Sequence, residues 1–302
     1  MSELAAVMDL LCGPVPRAGA DFSTFWRDTA GLRRGFQEPM ARAVALGFSA
    51  DRLGFAFMGG YASALTRLDP SLGVDEVAAL CATEDGGAHP RAIRAALSEG
   101  RLSGTKRFVS GGPFATRLLV VASEGATPEG RNRLRLVRVR PRAPGVTLEV
   151  QPELPFVPEV PHASVQFQDV AVAEADVFPG DGYTEALKPF RTLEDLHVHG
   201  ALLGLLLSVA RRSGWPQGSV EHLLTLVASA LTLGGLDPRA PSTHLALAGL
   251  LSSTRAFLDA SEAHWATVAP DEAARFERDR PLLAVAGKAR EARRTNAWAA
   301  LG

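Results

Sequence analysis

Cysteine is nearly absent from this chain, which has only Cys12 and Cys81 among its 302 residues. Two cysteines cannot form a framework of disulfides, so a small disulfide-rich secreted scaffold is excluded and a reducing compartment is favoured. The N-terminal apolar stretch contains Glu3 and Asp9, unlike the basic and then apolar pattern of a secretion signal. We therefore expect a cytoplasmic protein.

Charge of one sign and long apolar runs are also lacking. The formal net charge is −1, so no global field attracts nucleic acid or an anionic membrane. The longest apolar run, from Leu223 to Leu236, is shorter than the roughly 20 residues that cross a bilayer. His197 and His199 are two positions apart, which on a helix directs them to different faces, so we predict no metal site. No Gly-x-Ser-x-Gly elbow of a serine hydrolase is present.

The spacing of apolar residues divides the chain into three regions. Residues 1–76 have the period of helices, and residues 77–184 contain short β-rich runs separated by Gly and Pro. Residues 185–302 are helical again, with breaks near Gly214, Gly234 and Pro270. This pattern predicts an α+β protein. It has a short N-terminal helical region, a central β-barrel or β-sandwich domain and a C-terminal four-helix bundle.

Two motifs at the start of the central region carry the chemistry. The first is the loop 82–90, Ala-Thr-Glu-Asp-Gly-Gly-Ala-His-Pro, and the second is the strand 104–112, Gly-Thr-Lys-Arg-Phe-Val-Ser-Gly-Gly. Glycine permits close backbone approach and positive φ, so the amide N–H groups of the loop are candidates for binding an electron-rich ligand. Taken alone, the loop is more simply a turn that joins two strands.

Together these motifs resemble the flavin-binding core of acyl-CoA dehydrogenases. Members of that family have a Thr-Glu loop followed by a Gly-x-Lys-x-Trp-Ile-Thr-Asn-Gly strand, and the resemblance continues through the strand 118–122, the turn 143–146 and the closing strand 162–172. It implies an FAD cofactor and an acyl-CoA or other acyl thioester substrate. It also implies pairing of chains through the helical bundle, as a homodimer or homotetramer.

The resemblance assigns roles to residues at matching positions. Cofactor-binding positions are matched by Thr83, Phe108, Ser110, Gly111 and Arg212, and substrate-binding positions by Gly87 and Ala88. Phe108 replaces the family Trp and keeps a face for stacking, while Ser110 replaces a Thr and keeps a hydroxyl. From the residues alone, a core position in a half-buried strand explains Phe108 equally well, and a turn hydroxyl explains Ser110.

Glu194 is the candidate catalytic residue. In the isovaleryl and long-chain subclasses, the Glu at the matching position removes the α-proton of the substrate, and a buried Glu with a raised pKa suits that role. With Thr192 and Asp195, it is also typical of the acidic first turn of a helix, where the helix dipole favours negative charge. Asp195 stands where the family has an Arg, which reverses the local charge.

A basic run at residues 131–142 alternates Arg with apolar residues. The run is a candidate for holding the phosphates of coenzyme A, although a solvated strand face is the more common explanation. The alternation breaks at Leu136 and Val137, which predicts a β-bulge there.

Departures from the family pattern leave two functions open. The Gly-rich loop is shorter than the family loop and lacks its Ser-Asp pair, and the family Arg-x-x-Phe-Gly segment is reduced to Arg212 and Trp215. The first function is a compact FAD-dependent acyl-CoA dehydrogenase. The second is a non-catalytic homologue, a structural or regulatory subunit that forms a hetero-oligomer with an active partner.

Overall fold

Helices form the first part of the chain, where the apolar residues recur with a helical period. The computed structural model describes residues 3–16 and 19–302. The helices here are α1 (Glu3–Cys12), α2 (Phe22–Asp28), α3 (Ala30–Gly35), α4 (Pro39–Ser49) and α5 (Leu53–Leu68). Helix α2 begins after Asp21, whose carboxylate accepts the Thr24 N–H at 2.8 Å, and α4 begins with a proline that has no N–H to leave unpaired.

The middle of the chain forms one seven-stranded sheet. Its strands are β1 (Ala78–Cys81), β2 (Ala96–Ser98), β3 (Arg101–Ser110), β4 (Arg117–Ala126), β5 (Asn132–Val139), β6 (Val146–Val150) and β7 (His162–Ala171). The order is β1-β4-β2-β3-β7-β6, and β5 pairs with β4. Alternate residues such as Leu102, Val120, Val165 and Phe167 are buried in one apolar core, as expected of strands with a period of two.

The last part of the chain is helical. Its helices are α6 (Lys188–Arg212), α7 (Gln217–Gly234), α8 (Pro241–Ala260), α9 (Pro270–Asp279) and α10 (Gly287–Ala299). The fourth predicted helix is divided into α9 and α10 by a 3₁₀ segment at Arg280–Ala284. Pro281 lies at its start and has no N–H to continue α9. The α+β class and the helical C-terminal region are confirmed.

The chain separates into two compact units. The helical unit contains the residues up to Arg67, the segment Pro155–Glu159 and the residues Thr192–Gly302. The sheet unit contains Leu68–Leu154 and Val160–Arg191. Our division into three domains that end at residues 76, 184 and 302 stays a prediction.

Helices α4 and α6 of the helical unit cross at very short range because small residues lie at the crossing. A Cβ atom on Gly47 would lie 1.9 Å from the carbonyl oxygen of Ala201, and one on Gly204 would lie 2.3 Å from the carbonyl oxygen of Val44. Both distances are far below van der Waals contact and both involve backbone atoms. Glycine at these two positions is therefore required for the two backbones to approach.

The predicted β-bulge at Leu136 and Val137 is wrong, because β5 pairs with β4 in unbroken register from Leu134 to Val139. Val137 faces the apolar core, and Leu136 is buried on the opposite face. There, the Leu136 carbonyl accepts the N–H of Phe178 at 2.9 Å. Burial of both faces, rather than an inserted residue, explains the two consecutive apolar residues.

Among the described residues, 3–16 and 19–302, one continuous helical stretch is long and apolar enough to cross a membrane. This stretch is Gly182–Arg212. It begins with a π-helical turn at Gly182–Leu187, which leads into α6. Its most apolar window is 89% buried within the protein. A buried core helix passes the same test, so this stretch is weak evidence for a membrane span.

Candidate functional site

The Gly-rich loop after β1 is a tight two-residue turn. The Glu84 N–H donates to the Gly87 carbonyl at 3.1 Å and the Gly87 N–H donates to the Glu84 carbonyl at 2.8 Å, with Asp85 and Gly86 at the tip. Thr83 is half-buried, and its carbonyl accepts the Arg107 N–H of β3 at 2.8 Å. Two of the amide N–H groups that we considered for ligand binding are therefore used inside the turn.

Glu84 anchors this loop through a buried ion pair that sequence analysis did not identify. Its carboxylate accepts the Lys106 ammonium at 2.7 Å and the backbone N–H groups of Arg94 and Ala95 at 2.7 and 3.0 Å. The Lys106 side chain is 0% exposed, and burial lowers the pKa of its ammonium although Glu84 opposes the shift. Burial also raises the pKa of the neighbouring Cys81 thiol to about 12. Because the Glu84 carboxylate is fully engaged, we assign it a structural role.

Phe108 is displayed to solvent by a distortion of β3. The pairing of β3 with β7 shifts register between Lys106 and Val109, and Phe108 within that shift has a φ of 54°. A left-handed backbone costs a residue other than glycine about 1–2 kcal/mol. The Phe108 side chain is 58% exposed. The interpretation of Phe108 as a core residue is therefore wrong, because the irregularity in the strand turns its ring outward.

Ser110 ends β3 opposite His162, the first residue of β7. The Ser110 Oγ lies 3.1 Å from the His162 Nε2, and the two residues are register partners. Gly111 follows with a φ of 67°, and its N–H donates to the Pro161 carbonyl at 2.9 Å. Burial lowers the pKa of His162, although a backbone hydrogen bond to Val160 opposes the shift.

The two substrate-position residues, Gly87 and Ala88, lie at the end of the same loop. Gly87 has a φ of 93°, and a Cβ atom built there would meet nothing within 4 Å. The Ala88 carbonyl accepts a long hydrogen bond from Arg191 at 3.5 Å. The sheet unit thus contains six of the predicted site residues: Thr83, Gly87, Ala88, Phe108, Ser110 and Gly111.

Glu194 lies in the second turn of α6, within the helical unit. The helix already begins at Lys188, so the interpretation of Glu194 as an acidic first-turn residue is wrong. The residue is half-buried. A cleft of about 580 Å³ in the same unit is lined along α6 by Val198, His199 and Leu202, which lie further along the helix than Glu194.

The charge reversal at Asp195 is compensated by α10. The Asp195 carboxylate forms ion pairs with Arg290 at 2.8 Å and with Arg293. Where the family has an Arg, this chain thus has an acid on α6 that forms ion pairs with two arginines of another helix of the helical unit.

The two histidines of α6 have separate structural roles. The His197 Nδ1 donates to the Leu193 carbonyl at 2.7 Å, while the His199 Nε2 lies 2.8 Å from the Thr254 hydroxyl of α8. Burial lowers the pKa of each to about 4. In the parts of the chain that the structure describes, no group of three or more His, Cys, Asp or Glu residues is arranged to hold a metal ion.

Comparison with solved structures identifies the fold. The chain superposes on butyryl-CoA dehydrogenase from Megasphaera elsdenii with a TM-score of 0.66, 13% identity, and coverage of 98% of this chain and 97% of that chain. Acyl-CoA dehydrogenase from Geobacillus kaustophilus gives a TM-score of 0.61 at 17% identity, covering 96% and 92%. The FAD complex of PigA gives 0.65 at 14%, covering 99% and 93%. The chain has the acyl-CoA dehydrogenase fold. No protein-family model matches the sequence, and no curated protein matches it significantly.

Within this acyl-CoA dehydrogenase fold, Arg212 is engaged by its own chain. Its guanidinium donates to the Ser208 hydroxyl and to the Glu272 carboxylate of α9, and its side chain is mostly buried. These partners would have to release the guanidinium before it could bind a cofactor. The assignment of Arg212 to the cofactor stays a prediction.

The basic run that we considered for coenzyme A is also paired internally. Arg133 and Arg135 reach Glu124 at 3.1 and 2.9 Å, and Arg138 contacts both oxygens of Asp69 at 2.8 and 2.9 Å. These ion pairs lie within the sheet unit. They favour the structural explanation of the run over phosphate binding.

Proposed function

We propose that this chain is a flavoprotein that binds FAD and oxidises an acyl thioester. The observation that carries the proposal is Phe108, whose aromatic ring is held in solvent on a strained backbone at the position that matches the flavin-stacking Trp of the family. Glycine would have no steric penalty at a φ of 54°, so phenylalanine is present here at a cost in backbone strain. Strain retained at an exposed aromatic residue supports a binding role.

The neighbouring residues fit an aromatic ring with hydrogen-bonding edges. Ser110 has a hydroxyl two positions from Phe108, and Gly111 adds no side chain beside it. Thr83 is held on the adjacent loop by its bond to β3. We assign Thr83, Phe108, Ser110 and Gly111 to FAD, and Gly87 and Ala88 to the substrate.

Glu194 is the proposed base. Its carboxylate would accept the α-proton of the thioester, which is acidified by the neighbouring carbonyl, while the β-carbon loses a hydride. FAD, when bound, supplies the acceptor for that hydride.

The first experiment measures flavin binding. We expect the purified protein to show the visible absorption band of bound flavin, or to acquire it after addition of FAD. Phe108→Gly should lose this binding while gaining about 1 kcal/mol of stability from relief of the left-handed backbone. Glu99→Gly is the matched control, since Glu99 has a φ of 50° in the turn between β2 and β3. It should gain similar stability and keep the flavin. Equal flavin binding in both variants would remove Phe108 from the site.

The second experiment tests the base. Glu194→Gln preserves shape and hydrogen bonding but cannot accept a proton, so it should bind FAD normally and no longer be bleached by acyl-CoA. Glu291→Gln, an exposed control on α10, should be bleached like the wild type. Bleaching that survives in Glu194→Gln would place the base elsewhere.

A non-catalytic subunit is the second candidate, and the pairing of Arg212 with Glu272 favours it. An arginine already bound by its own chain is a poor ligand for a cofactor phosphate. Under this alternative, the purified protein neither takes up FAD nor bleaches with acyl thioesters. It co-purifies with an active homologue as a hetero-oligomer.

For the assembly of the chain we propose a homodimer or homotetramer, in the cytoplasm. The apolar run Leu202–Ala210 does not supply the interface, because it is buried in the helical unit. Leu224, Ala228 and Leu231 of α7 are half-exposed, and they are candidates for it. Light scattering at micromolar concentration tests the proposal, and a stable monomer would reject it.

A further inference from the structure

Ser110 and His162 form a polar pair at the end of the sheet, two residues from the exposed Phe108. The Ser110 Oγ and the His162 Nε2 are 3.1 Å apart. Sequence analysis gave no role to His162, which is 52 positions away from Ser110 in the chain. The pair exists only because β3 and β7 are antiparallel neighbours in this register.

The backbone fixes both members of the pair. Behind Ser110, the Gly111 N–H donates to the Pro161 carbonyl at 2.9 Å, and the His162 carbonyl accepts the Gln151 N–H at 2.8 Å. A Cβ atom on Gly112, just after β3, would lie 2.9 Å from the Cβ of Ala163, so a larger residue would not fit there without a shift. The two side chains therefore meet in a defined geometry.

The available hydrogens limit which atom donates. The Ser110 hydroxyl has one hydrogen, and a neutral imidazole has one N–H. Burial lowers the pKa of His162 below its ordinary value of 6.5, which favours the neutral ring with one unprotonated nitrogen. In the tautomer whose ring hydrogen is on Nδ1, the Nε2 lies 3.1 Å from the Ser110 Oγ and can accept its hydrogen.

We propose that His162 is a positioning residue that takes the Ser110 hydrogen, so that Ser110 meets a bound flavin as a hydrogen-bond acceptor. This inference rests on the proposed function, because it concerns Ser110 beside the flavin. An acceptor complements an N–H at the edge of the reduced ring, and it does not complement an unprotonated nitrogen of the oxidised ring. The pair thus favours binding of the reduced flavin over the oxidised form.

The test is a double-mutant cycle on flavin affinity. Dissociation constants for oxidised and for reduced FAD are measured with the wild type, Ser110→Ala, His162→Phe and the double variant. Loss of one neutral hydrogen bond changes an affinity by about two- to tenfold. His162→Phe should shift the ratio of the two constants by that factor toward oxidised FAD. The same substitution should change nothing when Ser110→Ala is already present.

A rescue and a flavin-free measurement complete the experiment. His162→Gln keeps an amide oxygen that can accept the Ser110 hydrogen, and it should restore the wild-type ratio. In the apoprotein, nitrogen NMR should show His162 with an unprotonated Nε2 whose resonance moves on Ser110→Ala. Thermal denaturation of each variant confirms that it is folded.

The outcomes separate this inference from the proposed function. A wild-type protein that binds no FAD defeats both. Two results would overturn only the role of His162 while FAD still binds. One is an equal effect of His162→Phe with Ser110 present and with Ser110→Ala, and the other is a protonated Nε2 in the apoprotein.

Discussion

Substitution of Gly47 by alanine should destabilise the helical unit strongly, although alanine is the better helix former. Gly47 lies inside α4, where Gly→Ala alone would gain up to about 1 kcal/mol of helix propensity. However, the new Cβ would lie 1.9 Å from the Ala201 oxygen and 2.6 Å from its Cα. To reach ordinary contact, the backbones of α4 and α6 must move apart by more than an ångström.

The cost of this separation exceeds the gain. The clashing atoms belong to a helix backbone, which has no rotamer to change, and the surrounding Val44 and Phe48 are 0% exposed. Overpacking in a core typically costs about 1–3 kcal/mol, and sometimes more. We expect a net loss of about 1–3 kcal/mol in the free energy of unfolding, at the upper end if the helices cannot adjust.

Gly249→Ala is the matched control. Gly249 lies within α8, is exposed, and a Cβ there would meet nothing within 4 Å. This variant should be stabilised by about 0.4–1 kcal/mol. Urea denaturation followed by far-ultraviolet circular dichroism measures both changes. If Gly47→Ala is as stable as Gly249→Ala, the close crossing of α4 and α6 is wrong.

Two further predictions concern buried ionisable groups. Lys106→Met leaves the Glu84 carboxylate buried without its cation and should cost about 3–5 kcal/mol. The double variant with Glu84→Gln, which keeps an oxygen for the N–H groups of Arg94 and Ala95, should lose less. Equal losses in urea denaturation would contradict a coupled pair. The pKa of His197 falls from 6.5 to about 4 on folding. Between pH 6.5 and pH 4 the unfolded chain therefore binds a proton that the folded chain does not, so the free energy of unfolding decreases as the pH falls through this range. His197→Asn keeps a donor for the Leu193 carbonyl and should reduce the dependence of the free energy of unfolding on pH by about 1.4 kcal/mol per pH unit. An unchanged dependence would show that His197 does not titrate there.

Local sequence patterns predicted the type of each region correctly. The change from a helical period to a period of two, and back again, marks the sheet because hydrophobic spacing reports which face of a segment is buried. Pro281 shows the limit of this signal. The pattern predicts one helix after the break near Pro270, and the further break at Pro281 depends on a single missing N–H.

The roles of the site residues were less predictable. Phe108 could be assigned to the core or to a cofactor from its position in a strand pattern, and only the shifted register of β3 against β7 turns it outward. A one-residue change of register reverses the face of every following side chain. No local pattern contains that information, because it depends on pairing with a strand more than 50 residues away.

The sequence by itself determined the α+β succession, the Gly-rich loop and the residues that match the acyl-CoA dehydrogenase pattern, because these depend on neighbours within a few positions. Only the tertiary structure decided which polar and charged side chains already have partners. Glu84 binds Lys106, Arg212 binds Glu272 and Ser110 meets His162. Each pair joins residues that are far apart in the chain, and their approach is set by how strands and helices pack rather than by the residues themselves.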